Sequence, residues 1–154
     1  MLEKGITYIH EHIYIDLSKI KNSDDTLLDD KETMISELRE IKEKGVRNIV
    51  EVTNIGTGRN IEYMEDVRKQ TGLNFIYSTG FYIEPFFPET VFQKTDKELA
   101  KIMIDEIKNG IDGTGIKPEV IGEIGSSQNI ITETEKKLFQ AAGIAQNETG
   151  KILS

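Results

Sequence analysis

Ile6-Thr7-Tyr8-Ile9-His10-Glu11-His12-Ile13 contains both histidines of the chain, two residues apart, in a run of β-branched, aromatic and apolar residues. Such a run reads as a strand. Side chains alternate faces along a strand, so His10 and His12 point one way and Glu11 the other. Two imidazoles on one face at the end of a first strand can grip a metal ion, since neutral imidazole ligates zinc, copper, iron and nickel. The same spacing also fits two ordinary histidines half-buried in a strand.

Outward from this strand, the pattern alternates. A long acidic connection with Asp24, Asp25, Asp29 and Asp30 leads to a helix over 30–44. Met34, Ile35, Leu38 and Ile41 give that helix an apolar stripe, and Gly45 ends it. A second strand is expected over 48–53. Asn60 caps a helix that closes near Gly72, and a third strand follows over 74–79. A loop rich in aromatics and proline spans 81–88. Thr95 and Glu98 have capping-box spacing and open a helix that closes near Gly110. The fourth strand is expected over 119–125. Thr132 and Glu135 repeat the capping box, on a helix that buries Leu138, Ala141, Ala142 and Ala145 and stops at Gly150. Lys151-Ile152-Leu153-Ser154 reads as the start of a fifth strand.

Strand–helix alternation at these spacings means parallel strands joined by crossover helices. Two α/β architectures fit. A doubly wound five-stranded sheet is complete in about 150 residues. A (β/α)8 barrel takes about 250, so this chain would be a partial TIM barrel: strands 1–4 with their helices and the start of strand 5.

Composition narrows the class. The chain has 154 residues, 37% hydrophobic and 30% charged, as expected of a soluble globular protein. No stretch approaches the ~20 apolar residues of a membrane span. The amino terminus lacks a basic region followed by an apolar run, so no signal peptide is expected and a cytoplasmic location is the default. With no cysteine, disulfides and thiolate metal sites are excluded. A net charge of −8 with dispersed Lys and Arg argues against nucleic acid or an anionic membrane as partner.

Ile121-Gly122-Glu123-Ile124-Gly125 places one carboxylate in an otherwise apolar strand. A strand covered on both faces should be nearly all apolar, and a carboxylate there must be paired or bind metal. Glu123 is thus the acidic candidate to join His10 and His12, with a Lys or Arg partner, or a place at a frayed strand end, as the alternatives. Both motifs fall at the carboxyl ends of their strands, where parallel α/β proteins build their sites. Glu51, inside the second strand, is expected to form a structural salt bridge.

Four segments resemble the phosphotriesterase family of the amidohydrolase superfamily, specifically its phosphotriesterase-homology branch. They are Gly5 to Ile13, Glu51 to Asn60, Ser78 to Glu89 and Gly113 to Gly125, in the family's order and across the whole chain. The resemblance implies a (β/α)8 barrel of which residues 1–154 are the amino-terminal portion of a single domain. It implies two divalent metals, usually zinc, at the barrel's carboxyl end. His10 and His12 match the first-strand ligands of one metal. Glu123 matches the fourth-strand glutamate that bridges both. Lys117 is out of register with the carboxylated lysine of other members. A metal-bridging hydroxide would attack an ester, lactone or phosphoester of a small-molecule substrate.

Two further histidines and an aspartate of the family pattern would lie beyond Ser154. The chain thus offers three of the first metal's four protein ligands and one of the second's. The expectations are at most one well-held ion, little or no hydrolysis by the chain alone, and exposed sheet edges suited to self-association or to a carboxyl-terminal half. Arg59, in Gly56-Thr57-Gly58-Arg59, is a candidate contact for an anionic substrate group, although a structural turn fits too. Tyr82 and Phe86 are candidate pocket residues that packing of their loop would equally explain.

Overall fold

The structure, a computed structural model, describes residues 2–154. In chain order the elements are β1 (Ile6–Glu11), β2 (Ile15–Asp16), α1 (Ser18–Lys21), β3 (Leu27–Leu28), α2 (Lys31–Glu43), β4 (Val46–Glu51), α3 (Ile61–Thr71), β5 (Asn74–Thr79), α4 (Glu89–Gln93), α5 (Asp96–Asn109), β6 (Val120–Ile121), α6 (Glu133–Thr149) and β7 (Ile152–Leu153). The principal sheet has the order β1-β4-β5-β6-β7, and β2 with β3 form a separate antiparallel ribbon. That order never doubles back. A doubly wound sheet must reverse its strand order at a switch point, whereas a barrel winds onward in one direction. The monotonic order therefore decides between the two architectures: the fold is an α/β, partial (β/α)8 barrel.

The chain forms two compact units, Met1–Thr53 with Gly58–Ile76, and Asn54–Thr57 with Tyr77–Ser154. In the first, β1 runs parallel to β4 with Tyr8 opposite Ile49 and Glu11 opposite Glu51. Asp30 caps α2 by accepting from the Thr33 N–H at 3.1 Å. Asn60 caps α3 in the same way from Tyr63 N–H at 3.0 Å, and Gly72 ends α3 in the left-handed conformation. The core of this unit includes Ile35, Leu38, Ile49, Val52, Met64 and Val67. Each such side chain contributes about 1.5–3 kcal/mol through burial. Asn74 Nδ2 donates to Asn48 Oδ1 at 2.8 Å, tying the start of β5 to β4. The acidic connection contains the β2–β3 ribbon and the short α1, neither of which has a period long enough to register in sequence.

In the second unit, β5 pairs parallel with β6, and β6 with β7. Both capping boxes form, at Thr95/Glu98 on α5 and Thr132/Glu135 on α6. Ala141, Ala142 and Ala145 are fully buried and let α6 lie close against α5. Phe81, Leu99, Met103, Ile121 and Leu138 fill the core around them. The fourth strand is shorter than its sequence suggests, only Val120–Ile121, because the next residue, Gly122, has a φ of +144°. A Cβ there would stand 2.5 Å from the Ser154 carbonyl oxygen, so only glycine fits. Extended hydrogen bonding nevertheless continues past the strand: Ile124 N–H donates to Ser154 O and Gly125 N–H to Tyr82 O, both at 3.0 Å. No helix among the described residues is long and apolar enough to cross a membrane.

Candidate metal centre

His10 and His12 meet at the carboxyl end of β1, as their spacing requires. Their ring centroids are 5.6 Å apart and their planes nearly perpendicular. His10 is exposed and His12 half-buried. Burial, followed by the neighbouring His10 charge, pushes the His12 pKa below the usual imidazole value. His12 is therefore neutral at pH 7, the form in which imidazole binds metals. Its Nδ1 lies 2.8 Å from the hydroxyl of Thr53, which is itself 2% exposed. That contact orients the ring and assigns Nε2 as the candidate ligand atom, the usual arrangement for a ligating histidine held by a second partner.

Glu51 lies beneath this pair. Its carboxylate is 1% exposed and accepts two backbone hydrogen bonds, from Ile13 N–H at 3.1 Å and Thr53 N–H at 2.6 Å. Burial pushes its pKa up to about 7, opposed by those two bonds, the Thr53 side chain and the charge of Arg59. The expected structural salt bridge is thus replaced, as the main anchor, by amide donors at the ends of two strands. Arg59 lies after Gly58, which packs so closely on Asp16 that a Cβ would approach its backbone to 2.7 Å. That close approach supports the turn reading of this segment.

Glu123 belongs to the second unit, just past β6, and is half-buried. Its backbone carbonyl accepts from Asn54 Nδ2 at 2.9 Å. The other side-chain atom of Asn54, Oδ1, is buried with no hydrogen-bond partner. The loop that follows Glu123 is held by Glu135, a fully buried carboxylate that accepts from Ser127 N–H (2.9 Å), Ser127 Oγ (2.7 Å), Thr132 N–H (3.0 Å) and Glu84 N–H (3.4 Å). Burial raises the Glu135 pKa, but these hydrogen bonds outweigh it and hold the group below its ordinary value. Tyr82 stacks on Phe86 with centroids 5.6 Å apart, so the two rings of the loop pack on each other. Lys117 is exposed, in keeping with its exclusion as a carboxylated lysine.

The phosphotriesterase family profile matches residues 2–154. The chain belongs to the phosphotriesterase family. Among curated relatives of this family, it is similar to the phosphotriesterase homology protein of Escherichia coli K12. The two are 46% identical over 150 residues, covering 97% of this chain and 51% of that protein. It is 34% identical over 148 residues to an aryldialkylphosphatase of Saccharolobus solfataricus, covering 94% of this chain and 47% of that one. The crystal structure of the E. coli protein, complexed with phosphate in its active site, covers 99% of this chain and 53% of its own with a TM-score of 0.96 at 44% identity. A lactonase structure from Listeria monocytogenes has a TM-score of 0.89 at 26% identity, covering 97% of this chain and 51% of that one. The chain spans about half the length of the relatives it matches. These relatives include hydrolases, and the phosphotriesterase family is metal-dependent.

Thr53, Asn54 and Glu135 were not singled out as site residues in the sequence. In the sequence the first two show only as a pair of polar residues ending an apolar strand, and Glu135 only as a helix cap.

Proposed function

We propose that this chain carries the first metal site of a hydrolase acting on a small-molecule ester, lactone or phosphoester, with His10, His12 and Glu123 as ligands to one divalent ion. One observation carries the reading: His10 and His12 stand side by side at the carboxyl end of β1, ring centroids 5.6 Å apart, with Thr53 on the Nδ1 of His12, and Glu123 joins them as the fourth-strand ligand of the family pattern. Two imidazoles and a carboxylate with further positions left for water or substrate suit zinc first, with manganese, cobalt and iron as alternatives. A neutral His12 and its fixed Nδ1 contact add to the fit. When bound, such an ion supplies Lewis-acid polarisation of the substrate and acidifies a water. In this reading His10 and His12 hold the ion, Thr53 orients His12, and Asn54 braces the Glu123 backbone. Arg59 and Tyr82 remain weaker candidates for contacts to an anionic and an apolar part of the substrate, beside their structural roles in the turn and the loop. The activity of the whole protein rests on the same proposal.

The test is calorimetric titration of metal-free protein with Zn2+, alongside hydrolysis assays with an aryl ester, a lactone and a phosphotriester. The expected result is one site, lost in His10→Ala, His12→Ala and Glu123→Ala, with little or no turnover by this chain alone and any residual turnover dependent on bound metal. Binding or turnover unaffected by all three substitutions would overturn the reading.

A further inference from the structure

We infer that Glu51 is a positioning residue for the metal site: it sets the orientation of His12 through Thr53, although neither Glu51 nor Thr53 is placed to bind metal. The inference rests on the proposed role of His12 as a ligand. Its geometry lies wholly within the first unit. Glu51 ends β4, and its two carboxylate oxygens are used separately. Oε2 accepts from the N–H of Ile13, the residue directly after His12, at 3.1 Å. Oε1 accepts from the N–H of Thr53 at 2.6 Å. Thr53 in turn meets His12 Nδ1 through its hydroxyl at 2.8 Å. The Val52 N–H donates to Glu11 O at 3.0 Å, closing the same seam between the strands.

One buried carboxylate therefore grips the chain on both sides of the imidazole: the backbone that carries His12 and the backbone that carries its hydroxyl partner. A carboxylate can do this because both oxygens accept. An amide cannot, since its NH2 would confront one of the two N–H donors. Placing an acidic side chain at 1% exposure is costly, and only local hydrogen bonding justifies it. A purely structural core position would be filled as well by an apolar residue, and Ile49 and Val52 on the same strand segment are such residues. The ring orientation of a ligating histidine is set by the partner of its other nitrogen, and losing that support typically costs about 10–100-fold in metal affinity.

The test reads His12 directly. Metal-free protein labelled with 15N-histidine is compared as wild type, Glu51→Gln and Thr53→Val by long-range 1H–15N correlation of the imidazoles, followed by Zn2+ titration of each. In wild type, His12 is expected in a single tautomer. In Glu51→Gln its two nitrogen shifts move towards the average of the two tautomers while those of His10 stay in place, and Zn2+ affinity falls about 10–100-fold. Thr53→Val, which removes the hydroxyl and keeps the N–H, gives the same His12 change; if Glu51→Gln does not fold, Glu51→Asp, which keeps two accepting oxygens but draws them back by one methylene, takes its place. Unchanged His12 shifts in either folded variant would overturn the inference, because the relay runs through both residues. Failure of the wild type to bind Zn2+ would instead overturn the metal reading, and the metal-free spectra would still decide the role of Glu51.

Discussion

Two buried glutamates, Glu51 in the first unit and Glu135 in the second, have pKa values shifted in opposite directions. Both are at most 1% exposed. Glu51 accepts from two backbone amides, and burial raises its pKa to about 7. Glu135 accepts from three amides and a hydroxyl, and its pKa is lowered in spite of its burial. Two things separate them: Glu51 is packed more deeply, so desolvation dominates there, and more donors converge on Glu135. The contrast also separates two jobs. Glu135 caps α6 and fastens the loops at Glu84 and Ser127. Glu51 holds only the two strand ends around His12.

The largest effect is expected from Glu135→Ala, which leaves four donors in a closed environment without their acceptor. Unpaired buried groups cost about 1–3 kcal/mol each, partly recovered by water entry, so a loss of about 3–5 kcal/mol is expected in denaturant unfolding. A loss below about 1 kcal/mol would mean that Glu135 is not the clamp described.

The next effect concerns pH. The Glu51 pKa is raised from 4.5 to about 7, so between those pH values the folded metal-free protein holds a proton there that the unfolded chain has released, and above about 7 the carboxylate is ionised. Its contribution is full below pH 4.5 and is lost as pH rises through about 7, up to about 3 kcal/mol. Glu135 has the opposite sign: its contribution is present above the ordinary glutamate range and is lost as pH falls through its lowered pKa. Unfolding of wild type minus Glu51→Gln, followed from pH 4 to 8, should show stability falling towards neutral pH. A difference that is flat, or that rises with pH, would break the contrast between the two groups.

The smallest effect sharpens the comparison of the two caps. Thr95→Ala removes an exposed capping box and should cost about 1 kcal/mol. Thr132 caps α6 and also hydrogen-bonds the Glu84 carboxylate, so Thr132→Ala should cost more. Equal thermal shifts for the two would show that the Thr132–Glu84 contact adds nothing to stability.

Local patterns in the sequence were informative where a short window contains the whole physical reason. The His-x-His spacing places two imidazoles together because strand side chains alternate. The capping boxes at Thr95 and Thr132 need only three residues. The buried face of α6, with Leu138, Ala141, Ala142 and Ala145, follows from helical period. What escaped depends on partners distant in sequence. Gly122 shortens the fourth strand because of Ser154, 32 residues on. The anchors of Glu51 include an amide at Ile13, and the second job of Glu135 depends on the loop at Glu84. The β2–β3 ribbon has two residues per strand, too few for any period to show. The choice between a doubly wound sheet and a barrel was likewise non-local, and it rested on strand order.

The central claim is that His10, His12 and Glu123 hold one divalent ion. The most direct measurement is the stoichiometry and affinity of Zn2+ binding to metal-free protein by titration against a chelating dye, for wild type and for His12→Ala. One ion per chain in wild type, with affinity reduced at least about 100-fold in His12→Ala, is the predicted result. No binding in wild type, or binding that His12→Ala leaves unchanged, would contradict it.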